Sequence, residues 1–131
     1  MQNAIERILA AGVLAPSGDN CQPWRFEVAE NVIRVFLIPE RDRSLYSWGN
    51  RASYIAHGAL LENMRIAAEP LGYQLTIQDF PDPQNPLLTA RITLEEAPIV
   101  ANPLADAIPL GCSNRKKYQA TPLSNTQRQQ L

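Results

Sequence analysis

Ala15-Pro16-Ser17-Gly18-Asp19-Asn20-Cys21-Gln22-Pro23-Trp24-Arg25-Phe26 passes from a helix stop through a polar loop into a strand. Pro16 lacks the backbone donor that a helix needs and so ends the segment before it. Gly18 frees the backbone, and Trp24-Arg25-Phe26 opens an extended stretch. Ser17, Asp19, Asn20 and Gln22 supply short hydrogen-bonding groups. Amides and hydroxyls can meet either a donor or an acceptor. A loop so equipped suits a planar ring whose edge alternates the two, as a flavin or a nucleobase does.

Outward from this loop, Ile5, Ile8, Leu9, Gly12 and Val13 recur at steps of three and four, an amphipathic helix that delivers the chain to Pro16. On the other side, residues 24–28 and 32–38 read as two strands joined by Ala29-Glu30-Asn31 into a hairpin. A polar and charged stretch over 39–51, with Arg41, Asp42, Arg43 and Ser44, reads as a surface connection or a ligand-proximal loop and precedes a second helix, with Ser53 as its expected cap and Ile55, Ala59, Leu60, Met64, Ala67, Ala68 and Leu71 along it. Gly72 stops it in a left-handed turn. Ala56, Gly58 and Ala59 would let neighbours approach closely, which makes this the expected central buried helix. Residues 73–78 and 88–94 supply two more strands around a connector in which three prolines fix φ. A short helix is expected around 104–110, and Ser124 is placed to cap a last one. The pattern predicts one α+β domain over 1–131, its helices packed on an antiparallel-rich sheet.

Composition narrows the functional classes. The chain has 131 residues, 45% of them hydrophobic, enough for one real core. A net charge of −1 and a pI near 5.8 give no general attraction to nucleic acid or to an anionic membrane surface. Cys21 and Cys112 are far apart and lack metal-ligand spacing, so they read as free thiols of a cytoplasmic protein. The N-terminus, with Gln2, Asn3 and Glu6 and no long apolar run, argues against a signal peptide. His57 is the single histidine, so a Ser-His-Asp site or a His-rich metal site would need a partner, and a packed, hydrogen-bonded role suits it better. Tyr46, Trp48 and Tyr54 could line a ring or a hydrophobic substrate, although packing is the commoner use of aromatic side chains.

The run Ala-Pro-Ser-Gly-Asp-Asn-x-Gln-Pro-Trp-Arg-Phe resembles the loop of the nitroreductase-like FMN-binding flavoproteins, above all a subfamily with two related halves in one chain. The stretch from Ala56 to Ala68, with Leu71-Gly72-Tyr73 after it, resembles that family's core helix and following strand. A second cluster, Gly111-Cys112-Ser113-Asn114-Arg115-Lys116-Lys117-Tyr118, joins three cations to a hydroxyl and an amide. By itself such a run is usually solvated surface. It falls, however, on the family's Arg-x-Ser-x-Arg phosphate loop, with Gly111 standing where the first arginine belongs.

The resemblance implies FMN as cofactor and reduction of nitroaromatic or quinone-like acceptors by NAD(P)H. It places Pro16, Ser17, Gly18, Asn20 and Gln22 near the flavin, and Ser113, Asn114, Arg115 and Lys117 near its phosphate. It assigns no catalytic acid-base pair, in keeping with chemistry carried by a flavin. It also implies a site between two related halves or subunits, so the two clusters need not serve one flavin. The chain reads as an N-terminal half, expected to pair with a second copy or with a missing half and to hold FMN poorly by itself. A flavin store without turnover, or an interaction domain that has lost the cofactor, are the alternatives.

Overall fold

The computed structural model describes residues 1–117 and 121–130; Tyr118 at the end of the basic cluster, the side chain of Tyr46 and the terminal Leu131 lie outside it. Among the described residues the order is α1 (Gln2–Gly12), β1 (Trp24–Ala29), β2 (Val32–Leu37), α2 (Arg51–Ala68), β3 (Tyr73–Asp79), β4 (Leu88–Glu96), α3 (Pro103–Ala107) and α4 (Asn125–Gln130). The four strands form one sheet in the order β1-β2-β4-β3, every neighbour antiparallel. No helix among the described residues is long and apolar enough to cross a membrane.

The sheet is built outward from β2. Its residues alternate strictly, with Ile33, Val35 and Leu37 buried and Val32, Arg34 and Phe36 half-buried, because successive side chains of a strand point to opposite faces. Ile33 stands opposite Ile92 of β4, which in turn stands opposite Ile77 of β3. Ile5 and Ile8 of α1 and Ala56, Leu60, Met64 and Ala68 of α2 join this face in a single core. The hairpin from β1 to β2 turns tightly at Glu30, whose φ of 54° is left-handed.

The central helix is where it was expected, but two of its details are not. It starts at Arg51, with Asn50 rather than Ser53 at the N-cap position. Ser53 is buried inside the helix and donates its hydroxyl to Asp42 Oδ2 at 2.9 Å. Nor is Gly58 a site of close approach, since a Cβ there would meet nothing within 4 Å. The tight contact is at Gly12, where a Cβ would lie 2.7 Å from Met64 Cγ. There α1 and α2 touch, backbone against side chain. Helix α2 gives way to a tight turn over Glu69–Leu71 and ends at Gly72, whose φ of 78° is the left-handed stop that glycine makes without steric cost. The last helix is capped as read: Ser124 Oγ accepts from the Gln127 amide at 3.3 Å, and Gln127 Oε1 accepts from the Ser124 amide at 2.9 Å, a reciprocal capping box.

Met64 is fully buried and has nowhere to retreat. Gly12→Val should therefore overpack the α1–α2 contact and lower stability by about 1–3 kcal/mol in urea unfolding. A midpoint equal to that of the wild type would show that the contact is looser than described.

Candidate functional site

The polar loop is tied at both ends. Its entry leaves α1 through a closing turn in which the Ala15 amide donates to the Gly12 carbonyl at 2.9 Å, and Ala15 is buried. Its exit is Trp24, 4% exposed, whose ring meets that of His57 edge-on at 5.9 Å. Between these anchors Asp19, Asn20 and Gln22 all take left-handed φ, at 48°, 54° and 46°. Gly18, expected to supply the freedom, does not adopt a positive φ. Aspartate and asparagine tolerate this region, while a glutamine there costs on the order of 1 kcal/mol and must be held.

What holds Gln22 is specific. Its amide donates to Ser17 Oγ at 3.0 Å, and its carbonyl accepts from the Trp24 amide at 2.8 Å and from Arg41 Nη1 at 2.9 Å. Arg41 also reaches the Trp24 carbonyl at 3.4 Å. Beside it, Asp42 accepts from the Ser44 hydroxyl at 2.7 Å, the Ser44 amide at 3.1 Å and the Ser53 hydroxyl. The Ser44 hydroxyl, then those of Ser47 and Ser53, holds the Asp42 carboxyl down at about 2. Cys21 is moved the other way: partial burial and the charge of Asp42 raise its thiol. His57 is 3% exposed; burial lowers its pKa against the pull of the Ser53 and Phe36 carbonyls, and its Nδ1 lies 2.8 Å from the Ser53 carbonyl. It is packed and hydrogen-bonded, as read.

The second cluster is brought to this loop by α3. Asn102 caps α3 by accepting from the Leu104 amide at 3.0 Å, and its Nδ2 donates to Glu69 Oε2 at 2.7 Å. Arg65 braces Glu69 from the preceding turn at 2.9 Å. Through this chain α3 lies along α2, and the segment after it passes the polar loop. A cleft of about 520 Å³ results. It is lined by Leu14, Pro16 and Asn20 at the polar loop, by Gly111, Cys112 and Ser113 of the second cluster, and by Asn63, Ile66, Leu104 and Ile108. That size lies within the range of small-molecule and cofactor pockets.

Of the residues flagged in the sequence, Pro16, Asn20 and Ser113 meet here. Ser17 and Gln22 are occupied in holding the loop, and Gly18 lines a separate hollow with Asp42 and Ser44. Asn114 accepts from the Lys116 amide at 3.0 Å, and Asn114, Arg115 and Lys117 are exposed beyond the lining. A somewhat larger groove, about 590 Å³, runs past Arg7, Ala11, Pro70 and Asp106 and contains none of the flagged residues. Arg41 and Asp42 were read only as part of the polar connection or ligand-proximal loop, and Asn63 and Asn102 were given no site role. The serine two residues after Asp42 is the one local signal, that of an Asx turn.

This arrangement, a polar loop from α1 into an antiparallel sheet under a central helix, recurs in known proteins. No family model matches the chain. A protein of Mycobacterium tuberculosis named "Putative NAD(P)H nitroreductase acg" is 33% identical over 113 residues, 82% of this chain and 34% of that protein. Another of that species, "Putative NAD(P)H nitroreductase Rv3131", is 29% identical over 123 residues, 91% of this chain and 35% of that one. The fold superposes on a crystal structure named "putative nitroreductase in complex with fmn" from Desulfovibrio desulfuricans, with a TM-score of 0.59, 24% identity and coverage of 89% of this chain and 87% of that one. It also superposes on one named "Putative NADH Oxidase" from Clostridium acetobutylicum, with a TM-score of 0.62, 17% identity and coverage of 78% of this chain and 80% of that one. The chain is nitroreductase-like. This nitroreductase-like chain spans about a third of the length of the curated relatives it matches.

The Asp42 cluster has a pH signature. A carboxylate whose folded pKa is depressed adds stability that is fully present above its unfolded pKa and is lost as pH falls toward the folded one. Asp42→Ala should cost about 1 kcal/mol at pH 7, the scale of a lost hydrogen bond. The difference from the wild type should shrink between about pH 4 and pH 2, because the wild-type carboxyl is then protonated too. Urea unfolding across that window checks it; a difference independent of pH would contradict the assignment.

Proposed function

We propose that this chain forms part of an FMN-dependent oxidoreductase of nitroreductase type, with NAD(P)H as electron donor and a nitroaromatic or quinone-like acceptor. The observation that carries the reading is the meeting of Pro16 and Asn20 with Gly111, Cys112 and Ser113 on one cleft, the basic run beginning two residues farther on. FMN, when bound, supplies the hydride relay between donor and acceptor.

The donor set fits such a group. The Asn20 amide can face a ring edge that alternates donors and acceptors, and Pro16 with Leu14 and Ile108 gives apolar surface beside it. Ser17 and Gln22 act one step back, by keeping Asn20 in its left-handed turn. Ser113 and Asn114 offer neutral partners to a phosphate, Arg115 a planar fork and Lys117 a mobile charge. Gly111 leaves out one cation of the related motif, which predicts modest affinity for the phosphate end. In this reading a second copy, or a second half, closes the site from the side left open here.

FMN fluorescence titration tests the assignment. The chain should bind weakly, and Arg115→Ala and Asn20→Ala should each weaken binding about ten- to a hundredfold, as expected for a charged or ligand-facing hydrogen-bond partner. Unchanged affinity in both variants would remove the cleft from consideration. Bleaching of bound flavin by NAD(P)H distinguishes an oxidoreductase from a store.

A further inference from the structure

His57 of α2 holds a buried polar atom with nothing to bond. Its ring is 3% exposed, and Nδ1 lies 2.8 Å from the Ser53 carbonyl. A carbonyl only accepts, so Nδ1 carries the ring proton, and in the neutral ring Nε2 is left as a bare acceptor. Among the described residues Nε2 has no hydrogen-bond partner. The Phe36 carbonyl also approaches the ring, but an acceptor offers a lone pair nothing. Buried acceptors are almost always met, because an unmet one has lost its water without replacing it. The ring borders a hollow of about 120 Å³ where α2 meets the end of β3 and the start of β4.

We infer that this hollow is a binding site for one small aromatic ring bearing a single hydroxyl, a simple phenol, whose hydroxyl donates to His57 Nε2. An apolar cavity of roughly 150 Å³ takes one benzene ring. This hollow, open at a rim where Gly58 and Phe80 are exposed, has room for a single ring and little more. Leu61 and the rings of Tyr54 and Phe80, edge-on to each other at 5.6 Å, give it apolar walls. Phe80 is held there against its own backbone preference: its φ of 45° is left-handed, an outlier for so large a residue, and its amide donates to the Thr89 carbonyl at 2.9 Å. Gly58 leaves the mouth clear, since a Cβ there would meet nothing within 4 Å. The remaining polar groups supply no proton. Thr89 donates its hydroxyl to the Val35 carbonyl at 3.0 Å, and Asp79 brings a carboxylate to the exposed rim. The ligand must therefore bring the donor. A metal ion does not fit, because no three His, Cys, Asp or Glu side chains among the described residues could hold one together. An ammonium would have to shed its water against mostly apolar walls, a cost that a neutral phenol largely escapes.

None of these residues lines the cleft between the polar loop and the second cluster, so the test uses no flavin and its outcome is independent of the FMN titration. Phenol and toluene, alike in shape and different in the donor, are the probes, each titrated into the isotope-labelled full chain and followed by nuclear magnetic resonance. Phenol should move the amide signals of His57, Gly58, Phe80 and Thr89 along one saturating curve, together with the signal of the ring Nε2. Toluene should bind at least tenfold more weakly, the scale of one hydrogen bond to a buried acceptor. His57→Phe removes the acceptor and should abolish the preference for phenol, with circular dichroism to check its fold. Gly58→Leu places a better helix former at an exposed helical position, so it should fold, and by filling the mouth it should cut phenol affinity at least tenfold. Equal binding of the two probes, shifts confined to other surfaces, a folded His57→Phe chain that still prefers phenol, or a folded Gly58→Leu chain that binds phenol like the wild type would each overturn the proposal.

Discussion

The contact between α1 and α2 at Gly12 and Met64 is the constraint from which the rest of the structure follows. Leu60 and Met64 are fully buried, and each such side chain stabilises by roughly 1.5–3 kcal/mol relative to exposure. With α2 seated on Ile33, Val35 and Ile92, only a helix without a side chain at position 12 can lie close beside it. The end of α1 is thereby set in space. Trp24 is set as well, by its own burial and by His57 on α2. The polar loop must cross between two fixed points, and its left-handed residues are how it does so.

Strain of this kind persists only where the surroundings over-determine it. Here Arg41 holds two carbonyls at the loop exit, Ser17 holds the Gln22 amide, and Asp42 holds the connection that carries Arg41. The polar residues of the loop therefore divide their work. Ser17 and Gln22 keep the backbone in place, and Asn20 is left to face the cleft. A side chain presented from a backbone fixed in advance loses less freedom on meeting a ligand than one on a loose loop.

Much of this was legible in the sequence. The helical period before Pro16, the hairpin and the alternation of strands around a proline-rich connector are local patterns, and their elements lie within a residue or two of where they were read. Gly72 announced the end of the α2 region because few residues other than glycine take its φ readily. Two details, the roles of Ser53 and of Gly58, were misread, and one, the meeting of the two clusters, was left open, because a distant partner decides each. Ser53 resembles a cap, but Asp42 claims its hydroxyl from eleven residues away. Gly58 and Gly12 look alike in sequence, and only the position of Met64 shows which one is a contact. The convergence of the two flagged clusters depends on Asn102 and Glu69, 33 residues apart, which no periodicity connects.

The central claim is that both flagged segments frame one cleft. The direct measurement is an amide chemical-shift map of the isotope-labelled chain titrated with FMN. The account predicts that the largest shifts fall together on Leu14, Ala15 and Asn20 and on Gly111, Cys112 and Ser113, saturating along a single curve, while amides along the larger groove at Arg7 and Asp106 stay still. Shifts confined to one of the two segments, or centred on that other groove, would contradict it.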